Sequence, residues 1–266
     1  MTPAPIRVGI GGWTFEPWRG TFFPDKLAHK RELEYAASQL TAIEVNGTYY
    51  SGFKPQTFAN WRDATPDDFM FTLKASRFCT NRKVLADAGE SVARFVGQGI
   101  VELGSKLGPI LWQFMATKKF EPDDFAAFLK LLPASHDGVA LRHAVQVRHE
   151  SFATPEFVAL CRAHQVAIAF ADSPHYPGLA DVTGDFVYAR LEAGEDANPH
   201  CYPDAALPRW ADAARTWATG GQPDGLPYAG DAAVPKQPRD TFVFFIHGGK
   251  LRAPAGALAL LRALTP

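Results

Sequence analysis

Only three cysteines, Cys79, Cys161 and Cys201, occur in 266 residues, and no two of them stand in a CxxC spacing. An odd, scattered set argues against a disulfide framework and fits a reducing compartment. Long apolar runs are also missing, so no membrane-spanning segment is expected. Met1 to Pro5 carry no basic stretch leading into an apolar one, so no signal peptide is expected and the cytoplasm is the expected location. Neither sign of charge dominates: 27 Lys and Arg stand against 28 Asp and Glu, a net charge of -1. That balance argues against a globally basic nucleic-acid or membrane-surface binder. The short basic clusters at Lys26–Arg31, Arg82-Lys83 and Lys118-Lys119 read as solvated faces. Several catalytic signatures are absent as well: there is no HExxH, no GxSxG elbow and no Walker A. Gly9, Gly11 and Gly12 do not complete GxGxxG and read as close backbone approach at a strand end.

What is present is the composition of a globular chain, 47% hydrophobic and 21% charged. Short, mostly continuous apolar runs recur along its whole length, as strands buried on both faces do. Strands are expected at Ile6–Gly11, Ala42–Val45, Phe69–Leu73, Pro109–Gln113, His143–Arg148, Val166–Ala171, Asp185–Ala189 and Thr241–Ile246. Helical stripes lie between most of them, for example Leu33, Ala36, Ala37 and Leu40, or Phe125, Phe128, Leu129 and Leu132. Thr154-Pro155-Glu156 reads as a helix start, with a hydroxyl cap, a proline at the first position and an acid beside the positive dipole end. Eight strand–helix repeats predict one α/β domain over residues 1–266, a (β/α)8 TIM-barrel-like fold. Pro174, Pro177 and Gly178 crowd the short sixth connection, so its helix is expected to be short or missing. A long Gly- and Pro-rich loop, Thr219–Asp240, precedes the eighth strand and is expected to be the most mobile segment.

Function in such a barrel sits where strands end and the following loops begin. Nearly every expected strand delivers a polar side chain there: Glu44 and Asn46, Lys74, Gln113, Arg148, Asp172, Arg190. With a period of two along a strand, Asp172 is expected to top the face that carries Ile168 and Phe170. Glu44, Lys74, Arg148, Asp172 and Arg190 are expected to converge on one mouth and to perturb one another's ionisation. Lys74 is either a point-charge anion binder or, if its pKa is depressed, a Schiff-base nucleophile; anion binding is the preferred expectation, because two arginines accompany it. The aromatic residues of the first two loops, Trp13 and Tyr49 among them, read either as a satellite core or as a stacking wall for a ring. A weak alternative is a divalent metal held by Asp172 and His175, with His149, His247 or Glu44 nearby; otherwise no cofactor is expected.

An ordered series of motifs also resembles one family, DUF72 (YecE-like). It runs from Gly11-Gly12-Trp13-Thr14-Phe15 and Trp18-Arg19-Gly20-Thr21-Phe22-Phe23-Pro24, through Glu44-Val45-Asn46-Gly47-Thr48-Tyr49-Tyr50, to Phe69-Met70-Phe71-Thr72-Leu73-Lys74-Ala75. It continues through Leu107-Gly108-Pro109-Ile110-Leu111-Trp112-Gln113-Phe114, Val147-Arg148-His149-Glu150-Ser151-Phe152, Ala171-Asp172-Ser173-Pro174 and Tyr188-Ala189-Arg190-Leu191, ending near Gly249-Lys250-Leu251-Arg252-Ala253-Pro254-Ala255. The resemblance implies a TIM-barrel-like fold with a polar pocket at its C-terminal mouth, and no particular reaction. The chain departs from the family pattern at Gln146, where an acid is usual, at Asn81 and at Glu192-Ala193, where histidines are usual.

The leading expectation is a metal-independent pocket protein, an enzyme for a small anionic metabolite such as a sugar phosphate or nucleotide fragment. Lys74, Arg148 and Arg190 would hold the anion, and Glu44 or Asp172 would act as acid or base. Lys74 is also a candidate catalytic residue, Asn46 and Gln113 would position the reacting groups, and Trp13 and Tyr49 would wall the ring. Hydrolase, lyase and isomerase chemistry stay open. A metal-dependent, nuclease-like or sugar-isomerase-like barrel and a non-catalytic ligand sensor stand as alternatives.

Overall fold

The apolar runs close into a ring. In a computed structural model that describes residues 2–230 and 234–265, eight parallel strands form a closed barrel. They are β1 (Ile6–Gly11), β2 (Ala42–Val45), β3 (Met70–Lys74), β4 (Leu107–Gln113), β5 (His143–Gln146), β6 (Ala167–Asp172), β7 (Phe186–Leu191) and β8 (Asp240–Phe245). Each pairs with its sequence neighbours, and β1 closes the ring against β8 with Ile6 opposite Thr241. Around it pack α1 (Glu32–Gln39), α2 (Pro55–Asp63), α3 (Gly89–Val96), α4 (Pro122–Lys130), α5 (Pro155–Ala163), α6 (Ala206–Ala218) and α7 (Ala253–Leu264). The Thr154 hydroxyl accepts from Phe157 N at 3.3 Å, so α5 starts at its hydroxyl cap and first-turn proline.

Two apolar layers result. Inside the ring lie Ala42, Met70, Leu111, Ala144, Ala167, Ala169, Phe186, Tyr188, Phe242, Phe244 and Ile246. The larger core lies between strands and helices, and Phe114, Phe125, Phe128, Phe152 and Phe157 pack ring against ring within it. Gly9 permits the close approach of β1 to β2, because a Cβ there would sit 2.0 Å from the carbonyl oxygen of Ala42. The aromatic first loop is a satellite core. Trp18, Phe15, Phe22 and Phe23 pack edge to face with one another and with Tyr35, and Trp18 Nε1 donates to the carbonyl of Lys250 at 2.9 Å. One element had no signal in the sequence. A two-stranded hairpin, Ser135–His136 with Val139–Ala140, turns on Asp137 and Gly138, both at positive φ.

Among the described residues no helix joins β6 to β7. The loop before β8 covers the gap instead: Leu226, Tyr228, Ala229 and Val234 pack onto the core. Buried Asp181 accepts from Ala229 N and Gly230 N, both at 2.8 Å, and Ala180 N donates to Pro227 O. At the far end, Arg239 donates to the carbonyls of Pro235, Gln237, Gly220 and Gly184. Residues 231–233 of the loop expected to be mobile lie outside the described residues. Asp181→Ala is expected to lower stability by about 1–2 kcal/mol, since two part-buried amides lose a charged acceptor. Faster hydrogen exchange at Ala229 and Gly230, together with a lower urea midpoint, would register that loss; unchanged exchange would show that the carboxylate does not hold the loop.

Candidate functional site

Above the apolar filling, the inward side chains turn polar. Thr72 and Tyr188 share a hydrogen bond of 2.9 Å, and the Tyr188 hydroxyl donates to Glu44 Oε2 at 2.7 Å. Arg190 lies over this pair. Its Nε donates to Glu44 Oε2 at 3.0 Å and one terminal nitrogen to Glu44 Oε1 at 3.1 Å. The other terminal nitrogen donates to Gln146 Oε1 at 2.6 Å and also to Glu192 Oε1. Gln146 extends the chain, donating to Glu192 Oε1 at 2.8 Å and accepting from Gln113 Nε2 at 2.6 Å. Strands β2, β3, β4, β5 and β7 thus meet through one hydrogen-bonded polar network at the C-terminal mouth, where the fold places its functional groups.

Electrostatics follow from this packing. Burial pushes the Glu44 carboxyl up, but Arg190, Lys74 and the Tyr188 hydroxyl together outweigh it and hold it below the ordinary carboxylate range. Burial opposes the Arg190 charge, yet Glu44 and Glu192 raise its pKa above the usual value. Burial, then the Glu44 charge, pushes Tyr188 well up, so it stays a hydrogen-bond donor. Lys74 projects from the end of β3 into the same space and is 8% exposed. Its Nζ lies 4.2 Å from the centroid of the Tyr49 ring and, among the described residues, makes no hydrogen bond or ion pair. Burial, with Arg190 and Arg148 adding to it, pulls Lys74 down to about 8 against the pull of Glu44 and Glu192. Arg148 lies over the ring of Tyr176 at 4.3 Å, and burial lowers its pKa as well. Two buried polar atoms here lack any partner: Arg148 Nε and Glu192 Oε2. Lys74, Arg148 and Arg190 face Glu44 and Glu192, three cations against two carboxylates, which leaves one positive charge when all five are ionised.

Five of the expected residues, Glu44, Lys74, Gln113, Arg148 and Arg190, therefore share the mouth or its immediate walls. Tyr49 covers Lys74, and its hydroxyl accepts from Asn81 Nδ2 at 3.0 Å. Asn46 stays beside the rim, its amide within 3.4 Å of the Glu44 carbonyl oxygen. Two expectations need correction. Asp172 does not join the cluster. It stands opposite Leu191 in the register, while Ala171 stands opposite Arg190, so Asp172 belongs to the outward face of β6 with Phe170, which packs on Trp210 and Trp217. Its carboxylate accepts from the Tyr202 hydroxyl at 2.6 Å, which leaves it a structural partner of the outer layer. Trp13 also turns to the outer layer, edge-on to Trp61 at 5.2 Å and to Phe71. His175 is exposed, and among the described residues no three His, Cys, Asp or Glu side chains gather as a metal site.

Four members of the network were not among the expected site residues: Thr72, Gln146, Tyr188 and Glu192. The last two had a usable signal, because Tyr188 lies two positions before Arg190 on the same strand and Glu192 two positions after it, just past the strand end, in the same alternation.

The family described as protein of unknown function DUF72 matches residues 7–266. A relative, UPF0759 protein YecE of Escherichia coli (strain K12), is 27% identical over 150 residues, 55% of this chain and 50% of its own length. The aligned stretch thus spans half of that protein. A DUF72 family structure from Thermotoga maritima superposes with a TM-score of 0.72 at 23% identity, over 98% of this chain and 99% of its own. One from Enterococcus faecalis superposes with a TM-score of 0.72 at 18% identity, over 98% and 96%. Likeness at these identities concerns the fold.

Proposed function

The chain belongs to the DUF72 family, and from that premise we propose that it is an enzyme of the barrel mouth whose substrate is a small anionic metabolite, a sugar phosphate or a nucleotide fragment. The observation that carries the proposal is the pair of buried polar atoms without partners among the described residues, Arg148 Nε and Glu192 Oε2, beside the cationic cluster of the mouth. Polar atoms buried without partners are costly, and a ligand that supplies an acceptor to one and a donor to the other removes both penalties. Arg148 and Lys74 hold the anion, because among the described residues neither side chain donates a hydrogen bond, and Arg148 meets Glu192 Oε1 only at 3.9 Å. Arg190 spends its donors on Glu44, Gln146 and Glu192 and so acts as the keystone of the network. Glu192, with one free oxygen, takes the acid–base role. Glu44, engaged at both oxygens, positions Arg190 and Tyr188. Tyr49 and Tyr176, each under a cation, form the walls.

A thermal-shift series with inorganic phosphate, glucose 6-phosphate and adenosine monophosphate tests this reading. At least one is expected to raise the Tm of the native chain, and Arg148→Ala is expected to weaken its apparent affinity tenfold or more, about 1.4 kcal/mol. Stabilisation that survives Arg148→Ala unaltered removes Arg148 from the pocket and overturns the assignment.

A further inference from the structure

Among the described residues two lysines are buried, and they are held in opposite ways. Lys106, 6% exposed, is caged: its Nζ donates to the carbonyls of Arg62 and Thr65, both at 2.6 Å. Lys74, 8% exposed, has no hydrogen-bond acceptor among the described residues, only the face of the Tyr49 ring. Among the described residues no carboxylate pairs with its Nζ: Glu44 and Glu192 raise its pKa through their charge, while both oxygens of Glu44 are engaged by Arg190 and Tyr188. Only 8% of the Lys74 residue is exposed, so the side chain does not extend freely into bulk water. The arrangement is that of an amine left without a hydrogen-bond acceptor in the largely buried barrel mouth.

We propose that Lys74 is a covalent attachment point: its amine condenses with an aldehyde or ketone on the anionic ligand to form an iminium. This rests on the anion-binding reading above and adds the substrate class, a carbonyl compound bearing a carboxylate or phosphate. The charged and aromatic groups facing Lys74 are Glu44 on β2, Tyr49 just beyond it, Arg148 after β5, Arg190 on β7 and Glu192 just past its end. Burial and the two arginines hold its pKa near 8, so a usable share of the amine is neutral and nucleophilic close to neutral pH. In the condensation the nitrogen lone pair forms a bond to the carbonyl carbon while the C=O π electrons move to oxygen. Glu192 Oε2 accepts a proton from the new ammonium and returns it to that oxygen. A proton from solvent then converts the hydroxyl into departing water, leaving the protonated C=N bond. One water is released and one proton consumed, and no oxidant or reductant takes part.

Reductive trapping tests the inference. The native chain is treated with glyoxylate or dihydroxyacetone phosphate and sodium cyanoborohydride, whose hydride reduces the C=N bond to a stable secondary amine. Peptide mapping is expected to show Lys74 modified at least tenfold faster than surface Lys30 or Lys130, with a rate that rises with pH to a midpoint near 8. Lys74→Met is expected to abolish the fast adduct. Labelling of Lys74 no faster than of Lys30 overturns the proposal, and mapping the native chain decides this without any variant. Inorganic phosphate in the thermal-shift assay separates the two readings. If it stabilises the native chain and not Arg148→Ala while Lys74 labels slowly, the anion site stands and the carbonyl chemistry falls. Fast labelling without anion stabilisation supports Lys74 and overturns the anion site; neither effect overturns both.

Discussion

Arg190→Met is expected to destabilise the protein by about 3–5 kcal/mol, the range seen when one partner of a buried ion pair is removed. The guanidinium reaches both oxygens of Glu44 and one of Glu192, and it is 2% exposed. Without it two carboxylates remain in the barrel with Lys74 and Arg148 as their remaining cations. For a chain of this length such a loss lowers Tm by roughly 10 °C. Urea unfolding measures it directly. Arg190→Met combined with Glu44→Gln is expected to recover part of the loss, because one stranded charge disappears with its partner. A loss below about 1 kcal/mol would mean that water or the neighbouring cations solvate the carboxylates, and that Arg190 is not the keystone.

Lys74→Met is expected to do the opposite. The usual lysine pKa of 10.5 falls to about 8 in the folded chain. Below pH 8 the ammonium is charged in both states, and folding carries the cost of burying it. Between 8 and the unfolded value the unfolded chain binds more protons, so that cost fades as pH rises. Above the unfolded value the amine is neutral in both states and the cost is gone. Methionine has a similar length and no charge, so the variant is expected to exceed the native chain by about 2–3 kcal/mol at pH 7, with the difference shrinking toward zero by about pH 10.5. Denaturation series at several pH values measure the difference. A variant less stable than the native chain at pH 7 would show that Lys74 serves the fold. A side chain that lowers stability where it is charged is the kind retained for chemistry.

The barrel was legible because parallel strands covered on both faces read as continuous apolar runs. Expected β1 and β2 match the observed limits, and the other six overlap theirs within a few residues. The same continuity hid which face of β6 points inward. Period two puts Asp172 on the face of Ile168 and Phe170, and the expectation aims that face at the mouth. The ring interior instead takes Ala167 and Ala169, because large aromatics from β7 and β8 already fill it, while Ile168 and Phe170 go under the helices. Asp172 followed Phe170 to the wrong side for that reason. Glu192 was missed because the seventh strand was expected to stop at Ala189, whereas it runs to Leu191 and carries the inward alternation one residue further. The basic pairs Arg82-Lys83 and Lys118-Lys119, read as separate solvated faces, line one groove, where Lys118 donates to the Lys83 carbonyl at 2.8 Å and pairs with Asp124. Proximity of that kind depends on topology, which local pattern does not contain.

Closure of β1 against β8 has a consequence for biosynthesis. The first strand must wait for a partner more than two hundred residues downstream, from Ile6 to Thr241. At ribosomal speeds that interval is on the order of ten seconds or more. Throughout it one edge of the nascent sheet is open to intermolecular pairing, and Glu44 emerges long before Arg190, the cation that will neutralise it. Trigger for the final collapse is therefore expected late, once the seventh and eighth strands clear the exit tunnel, and a chaperone that shields an exposed strand edge would act on this chain during that window.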